Sequence, residues 1–419
     1  MAFTTEQVML TLAGLAYRGF HDPLSGALHN EIVRGAVLEG LQALKPVKGE
    51  WELVWGPVTS RDAREVFDTN AMYVVRHTRE PHRYVAAIRG TSPISAADWL
   101  FGDFWVGATV PWPYGAAANG AAISASTAIG LGALQTMSSF PAGSPSATVI
   151  SSLVGRAVDA LKHVGDRVRA GAGSGLTASP KWFADRLRDL ASRWPLDGRR
   201  AAGFGALLQR ALADGRSLPT SLRPRPRPAT MSHDEPDLVT FLSQEASASA
   251  AALDVTVVGH SKGAALAQAA ALWLKEALGS TEERWDGGKG AAVRCHVFAG
   301  PTAGNAALAA RIDQVLGAEH RHVRNVKDIV THAWQVDELG EIPALYGERT
   351  APFKPVITGI IEDVRDLHYR QPQRGIRTIT GQLDDARGFV PEFIHQHMEA
   401  YVRALELDKH GIDALTFFF

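Results

Sequence analysis

The stretch Leu253–Leu278 reads LDVTVVGHSKGAALAQAAALWLKEAL, and a change of pattern inside it decides the fold. Val255, Thr256, Val257 and Val258 make an apolar, β-branched run of strand character, and the Ala- and Leu-rich segment after Gly263 has strong helix propensity. Between the two, Gly259-His260-Ser261-Lys262-Gly263 leaves room only for a tight turn. A serine at the tip of a strand–turn–helix is held in a strained backbone conformation, its hydroxyl projecting above the sheet. Glycines two before and two after it allow strand and helix to approach closely. Ser261 is therefore a candidate nucleophile. The bare pentapeptide is weak evidence, because roughly one chain in five of this composition would hold G-x-S-x-G by accident. Its place between a strand pattern and a helix pattern is what gives it weight.

Outward from this stretch, strand and helix patterns alternate. Asp237–Ala252 reads as the helix leading in, then Val293–Ala299 as a strand, Asn305–Leu316 as a helix and His320–Asn325 as a strand. Such alternation predicts the α/β class, with a mostly parallel central sheet flanked by helices. Upstream, Ala71–His77 and Tyr84–Ile88 flank the turn-forming Glu80-Pro81-His82, which predicts adjacent antiparallel strands. Glu52–Trp55 is an edge-strand candidate, Val33–Leu44 is helix-like, and an amphipathic helix is expected to start near Thr4 or Thr5.

The chain of 419 residues is long enough for one large domain or two to three average ones. Its formal charge of −1 gives no electrostatic reason to expect a nucleic acid or an anionic membrane as partner. Cys295 is the single cysteine, so no intramolecular disulfide can form, and its place in Val293–Phe298 suggests a buried strand thiol. The N-terminal residues lack an early basic cluster and carry Glu6 before a short apolar run, unlike a secretory signal. The expected location is cytoplasmic, or outside the cell by a route that needs no such signal. From Phe104 to Gly155, 52 consecutive residues carry no charge. Gly, Ser, Thr, Asn and Gln dilute this run too far for a membrane span, and helices and loops covering something apolar are the better reading. Downstream, Arg223-Pro224-Arg225-Pro226-Arg227-Pro228 reads as an extended connector.

A serine hydroxyl needs a base within hydrogen-bond reach, itself oriented by a carboxylate. Asp328 lies just past the strand pattern 320–325, where a loop carboxylate can reach a histidine above the sheet; Asp337, Asp363 and Asp366 compete from weaker settings. As a plain loop residue or N-cap, Asp328 is equally well accounted for by position alone. His395 and His397 stand near the start of the last helix pattern, and a metal reading of the pair lacks further ligands. His320 and His322 read as surface or structural, and His260, beside the nucleophile on a tight turn, points elsewhere and is a poor base.

Four blocks in order then carry a resemblance. Ala87-Ile88-Arg89-Gly90-Thr91 with Asp98-Trp99-Leu100, Gly259–Gly263, Phe298-Ala299-Gly300-Pro301-Thr302-Ala303-Gly304-Asn305 and Val323–Val330 together resemble the class 3 lipase family of α/β-hydrolases, with Gly203-Phe204 a weaker echo. The resemblance implies an α/β-hydrolase fold and a serine carboxylic-ester hydrolase acting on lipid or other esters, possibly at a lipid–water interface, without cofactor or metal. It assigns Ser261 as nucleophile and Asp328 as acid. It favours His397 as base, with Tyr401 four residues on as in the family, and leaves His395 as the alternate. The backbone amides of Thr91 and Lys262 become the oxyanion donors.

Three departures stand out. Lys262 replaces the usual Leu and Thr331 the usual Pro. About a hundred residues separate Asp103 from Gly203, where compact members carry a short lid. The expected organisation is a hydrolase core of 1–103 and 200–419 with a helical lid or cap at 104–199. Triacylglycerol, phospholipid and short-chain esters pass through the same kind of intermediate, so a phospholipase A-type effector and a short-chain esterase stay open. A non-catalytic binding protein on a lipase-like scaffold is the alternative from a different class.

Overall fold

The computed structural model describes residues 2–18, 27–60, 70–90, 106–107, 109–115, 120–139, 236–414 and 416. Seven strands form one sheet in the spatial order β1-β2-β3-β6-β7-β8-β9. They are β1 (Trp51–Ser60), β2 (Asn70–His77), β3 (Arg83–Ile88), β6 (Asp254–His260), β7 (Ala292–Phe298), β8 (His320–Asn325) and β9 (Ile376–Ile379). The first three pair antiparallel, as the turn at Glu80–His82 predicts for β2 and β3, and β1 is the edge strand expected there. From β3 onward every pairing is parallel, Ile88 lying opposite Gly259 and Gly259 opposite Val297. This is the mostly parallel sheet expected from the alternation and the α/β-hydrolase arrangement that the resemblance implies. The parallel strands all end on one edge of the sheet, where α/β proteins place their sites.

Side chains alternate across each strand, so the sheet has two apolar faces to cover. Helix α1 (Thr5–Leu15) lies on one of them. It opens at Thr4 with a reciprocal capping box to Gln7, and Leu12 and Leu15 are fully buried in a core with Val75, Val85 and Val258. Helix α2 (Ala27–Ala43) contributes Val33 and Val37 to the same core. On the opposite face, Phe241 of α4 (Leu238–Ala248) meets the Tyr84 ring edge-on at 6.3 Å between centroids. Helix α5 (Lys262–Ala277) follows β6, as the sequence predicts.

Where described, the uncharged run puts Val110, Trp112, Tyr114 and Ile123 in the core and leaves Pro111 and Pro113 exposed. Strands β4 (Thr109–Pro111) and β5 (Ala122–Ser124) pair in a small ribbon, and α3 (Ala125–Thr136) packs on α5. The approach of α3 is close enough that a Cβ on Gly130 would lie 2.5 Å from Leu266 Cδ2. Trp112 is buried and donates to Glu276 Oε2 at 2.7 Å. After β7 come α6 (Ala306–Val315), then α7 (Val336–Tyr346) and α8 (Lys354–Val364), which pack on each other ahead of β9. The chain then runs through α9 (Phe389–Ile394), a π-helical turn His395–Glu399 and α10 (Ala400–Ala404). No helix among the described residues is long and apolar enough to cross a membrane. The Gly203-Phe204 echo, the Arg-Pro connector and most of the lid or cap expected at 104–199 lie outside the described residues.

Candidate active site

Ser261 sits between β6 and α5 with φ 62° and ψ −134°, a conformation that costs a non-glycine residue about 1–3 kcal/mol. Its neighbours impose it. The Ser261 N–H donates to Phe298 O at 3.0 Å, which ties the turn to β7, and Ser261 O accepts from Ala264 N at 2.9 Å. The flanking glycines are required by space. A Cβ on Gly259 would stand 2.1 Å from Gly263 O, and one on Gly263 would stand 2.4 Å from Ile88 O and 2.7 Å from Gly90 N. Gly90, at the end of β3, is equally confined, since its Cβ would meet His260 O at 2.5 Å and Ser261 Cβ at 3.0 Å.

Asp328 is fully buried just beyond the end of β8. Its Oδ1 accepts from Val330 N at 3.0 Å and so caps the short 3-10 turn Ile329–His332, and both oxygens face His397 Nδ1, at 3.1 and 3.0 Å. The two readings that its position left open, N-cap and partner of a histidine, are therefore both true. Tyr401 Oη donates to Asp328 Oδ2 at 2.9 Å and accepts from Asn325 N at 3.0 Å. Burial and the adjacent Asp328 hold the Tyr401 phenol well above its usual pKa, so it stays a donor. Thr331 fills the family's proline position and does what proline cannot: its N–H and its hydroxyl both reach Asp328 O, at 3.1 and 2.9 Å.

His397 is nearly buried, with the Phe393 ring stacked on it at 5.8 Å. Its position comes from the π turn, a wider winding that recurs at functional sites. Two consecutive carbonyls of that turn are gripped from strand ends. Asn325 Nδ2 donates to Gln396 O at 2.9 Å, and His260 Nε2 donates to His397 O at 2.8 Å. The His260 and His397 rings lie 4.7 Å apart, which brings His397 to the elbow. Among the described residues Ser261 Oγ makes no hydrogen bond, a separation common where catalytic contacts tighten only on substrate.

The structure thus gathers Ser261, His397 and Asp328 at one edge of the sheet and leaves His395 aside. His395 is half-buried among Arg387, Glu392, Arg403 and Glu399, with its pKa lowered mainly by burial. Lys262 opens α5, so its amide lies where a helix N-terminus favours negative charge. Thr91, the other expected oxyanion donor, lies outside the described residues. His320 and His322 are buried and structural rather than on the surface: His320 Nδ1 donates to Arg374 O, and His322 Nε2 accepts from Gly300 N. Cys295 is buried, which pushes its thiol pKa up and keeps it inert. Among the described residues no group of three His, Cys, Asp or Glu is placed to hold a metal ion.

The residues missed from sequence are Asn325, Tyr17 and the use made of His260. Asn325 stands inside the block Val323–Val330 and Tyr401 was noted four residues after His397, so a role beside Asp328 was within reach. Tyr17, in the turn after α1, bonds His260 across a separation of 243 residues with no local signal.

Comparisons with known proteins fit this geometry. Residues 226–338 match the sequence model of the class 3 lipases, a segment holding Ser261 and Asp328 and ending before His397. No curated protein matches the chain. Among solved structures, M37 lipase is similar at 23% identity over 100% of this chain and 98% of that one, with a TM-score of 0.69, a likeness of fold. A Rhizomucor miehei lipase–propeptide complex covers 80% of this chain and 66% of its own at 14% identity and TM-score 0.37. Lipase II from Rhizopus niveus covers 80% and 78% at 13% identity and TM-score 0.35. The last two scores are too low to carry an argument.

Proposed function

We propose, from a chain whose 226–338 segment carries the class 3 lipase pattern, a serine carboxylic-ester hydrolase that cleaves lipid acyl esters. The observation that carries the reading is the buried His397–Asp328 pair set beside a strained serine at the head of a helix. A hydrogen-bonded imidazole next to such a serine has one evident use, the transfer of its proton.

In this mechanism Ser261 Oγ attacks the acyl carbonyl carbon while His397 Nε2 takes the hydroxyl proton. Asp328 holds Nδ1–H and stabilises the imidazolium that forms. The Lys262 amide, with that of Thr91, receives the negative oxygen; one such donor is typically worth about 10²–10³ in turnover. His397 returns the proton to the departing alcohol, leaving Ser261 acylated. Water, deprotonated by His397, then releases the carboxylic acid.

Wild type and Ser261→Ala should be compared by fluorophosphonate labelling and by hydrolysis of a panel of p-nitrophenyl esters, triacylglycerol and phosphatidyl lipids. Labelling of wild type alone, with ester hydrolysis lost in the variant, is expected. An unlabelled, folded wild type, or full hydrolysis by Ser261→Ala, overturns the proposal and leaves the non-catalytic binding reading. Fatty acid released from phosphatidyl lipids and not from triacylglycerol would narrow the substrate to phospholipid.

A further inference from the structure

We infer that His260 is a positioning residue for this hydrolysis, fixing the turn that carries the base His397 against the elbow that carries the nucleophile Ser261. The inference rests on the triad reading above. It adds a direct link between nucleophile and base that does not pass through the acid.

The hydrogen bonds determine the state of the His260 ring. A carbonyl only accepts, so the 2.8 Å contact from Nε2 to His397 O requires a proton on Nε2. In the neutral ring Nδ1 is then an acceptor, and the Tyr17 hydroxyl lies 3.1 Å from it and 3.1 Å from His260 O. Burial, with His397 nearby, lowers the His260 pKa to about 3, so this tautomer persists wherever a histidine base can work. Burial likewise keeps the Tyr17 phenol protonated. Behind the ring, Leu10, Gly14, Met398 and Val402 line a narrow apolar crevice that offers His260 no other partner.

The geometry shows what the bond does. His260 and Ser261 are adjacent in the elbow, and the side chain of the first holds the backbone of the base. The next carbonyl back, Gln396 O, is held by Asn325 from the end of the acid's strand. The base is thus referenced to both strands, once through His260 and once through Asn325. If the first grip is released, the turn can rotate while His397 still contacts Asp328. A misplacement of ~1 Å at a reacting centre costs on the order of 10²-fold in rate.

The test uses the full chain with His260→Leu, which removes the donor and keeps an apolar filler, and His260→Gln, whose amide nitrogen falls near the position of Nε2. In His260→Leu, kcat and the rate of fluorophosphonate labelling should fall together, roughly 10–100-fold, with KM within about two-fold. His260→Gln should recover most of that loss. Folded His260→Leu that keeps kcat within about two-fold of wild type, or His260→Gln no better than His260→Leu, overturns the inference. Should His260→Leu not fold, His260→Gln is set against His260→Asn, whose amide stops short of His397 O; equal kcat in the two then overturns it. If the triad reading itself is wrong, wild type is not labelled at all, or His397→Ala keeps activity, and neither result resembles a positioning defect.

Discussion

Tyr401→Phe should cost this protein stability far more than activity. The phenol makes two buried hydrogen bonds, donating to Asp328 Oδ2 at 2.9 Å and accepting from Asn325 N at 3.0 Å. Phenylalanine refills the volume, so no cavity term arises. What is lost is a bond to a carboxylate, about 1.5–3 kcal/mol, and the satisfaction of a buried N–H, about 1–3 kcal/mol. The sum, after partial relaxation, is about 2–5 kcal/mol, or, for a chain of 419 residues, a fall in Tm on the order of 2–6 °C. The chemistry should suffer less. Asp328 keeps Val330 N–H on Oδ1 and still presents both oxygens to His397 Nδ1. We therefore expect kcat within about ten-fold of wild type, a barrier change of under ~1.4 kcal/mol. Thermal unfolding and steady-state ester hydrolysis on the same preparation decide the matter. An unchanged Tm with kcat down a thousand-fold would refute the reasoning, for Tyr401 would then act on the reacting groups rather than on the scaffold.

Asp328→Asn can turn its amide toward Nδ1 and favour the wrong tautomer of His397, so kcat should drop about 10³–10⁴-fold, as for the equivalent change in serine proteases; labelling at wild-type rate would contradict the pairing. Gly263→Ala forces a Cβ against backbone atoms of Ile88 and Gly90, which cannot swing away, so soluble protein should be lost, whereas Gly340→Ala in α7, with nothing within 4 Å, should gain about 0.5–1 kcal/mol in urea unfolding. Acid should destabilise the fold through two neutral histidines, buried His260 and half-buried His296, whose pKa values are lowered mainly by desolvation. His260 and His296 have folded pKa values of about 3 and about 4, while the unfolded value is near 6.5, so below 6.5 the unfolded chain binds protons that the native state refuses. Their stabilisation is complete above about pH 6.5 and is lost as pH falls toward the folded values. His260 alone accounts for on the order of 2 kcal/mol between pH 7.5 and 5. Denaturant midpoints at those two pH values should lie closer together in His260→Gln than in wild type, and an equal gap in the two would show that the ring is not held neutral.

Most of the scaffold was legible because its signals are local. β-Branched runs and turn residues located β2, β3, β6, β7 and β8, and the amphipathic pattern placed the start of α1 near Thr4 or Thr5. The elbow was legible because backbone clearance demands glycine at 259 and 263 whatever the rest of the chain does. The acid and base needed the resemblance. Position alone left Asp328 even with an N-cap and gave no choice between His395 and His397. The reason is the π turn: it changes the number of residues per turn just there, so helical periodicity cannot say which of two histidines two residues apart faces the sheet. Tyr17 and His260 were beyond reach, since their bond depends on how α1 docks, a property of packing with no trace in either local pattern. Its place on the turn argues against His260 as a base, and the neutral ring, whose Nε2 donates to His397 O, has another use.

The winding of that turn follows from the spacing of the sheet. The nucleophile leaves β6 and the acid leaves β8, with β7 between them, so the two strand ends stand roughly 10 Å apart. No single residue on either strand spans that gap. A helix laid across the strand ends can, provided its backbone is fixed at both. An ordinary α-helix commits each carbonyl to the N–H four residues on. The π turn loosens that pattern, and Gln396 O and His397 O, one residue apart, are held from β8 by Asn325 and from β6 by His260. Because His260 is in turn bonded by Tyr17, the docking of α1 bears on where the base stands. Removing the Tyr17 hydroxyl alone, with every triad residue intact, should therefore lower kcat in the same direction as His260→Leu and by less.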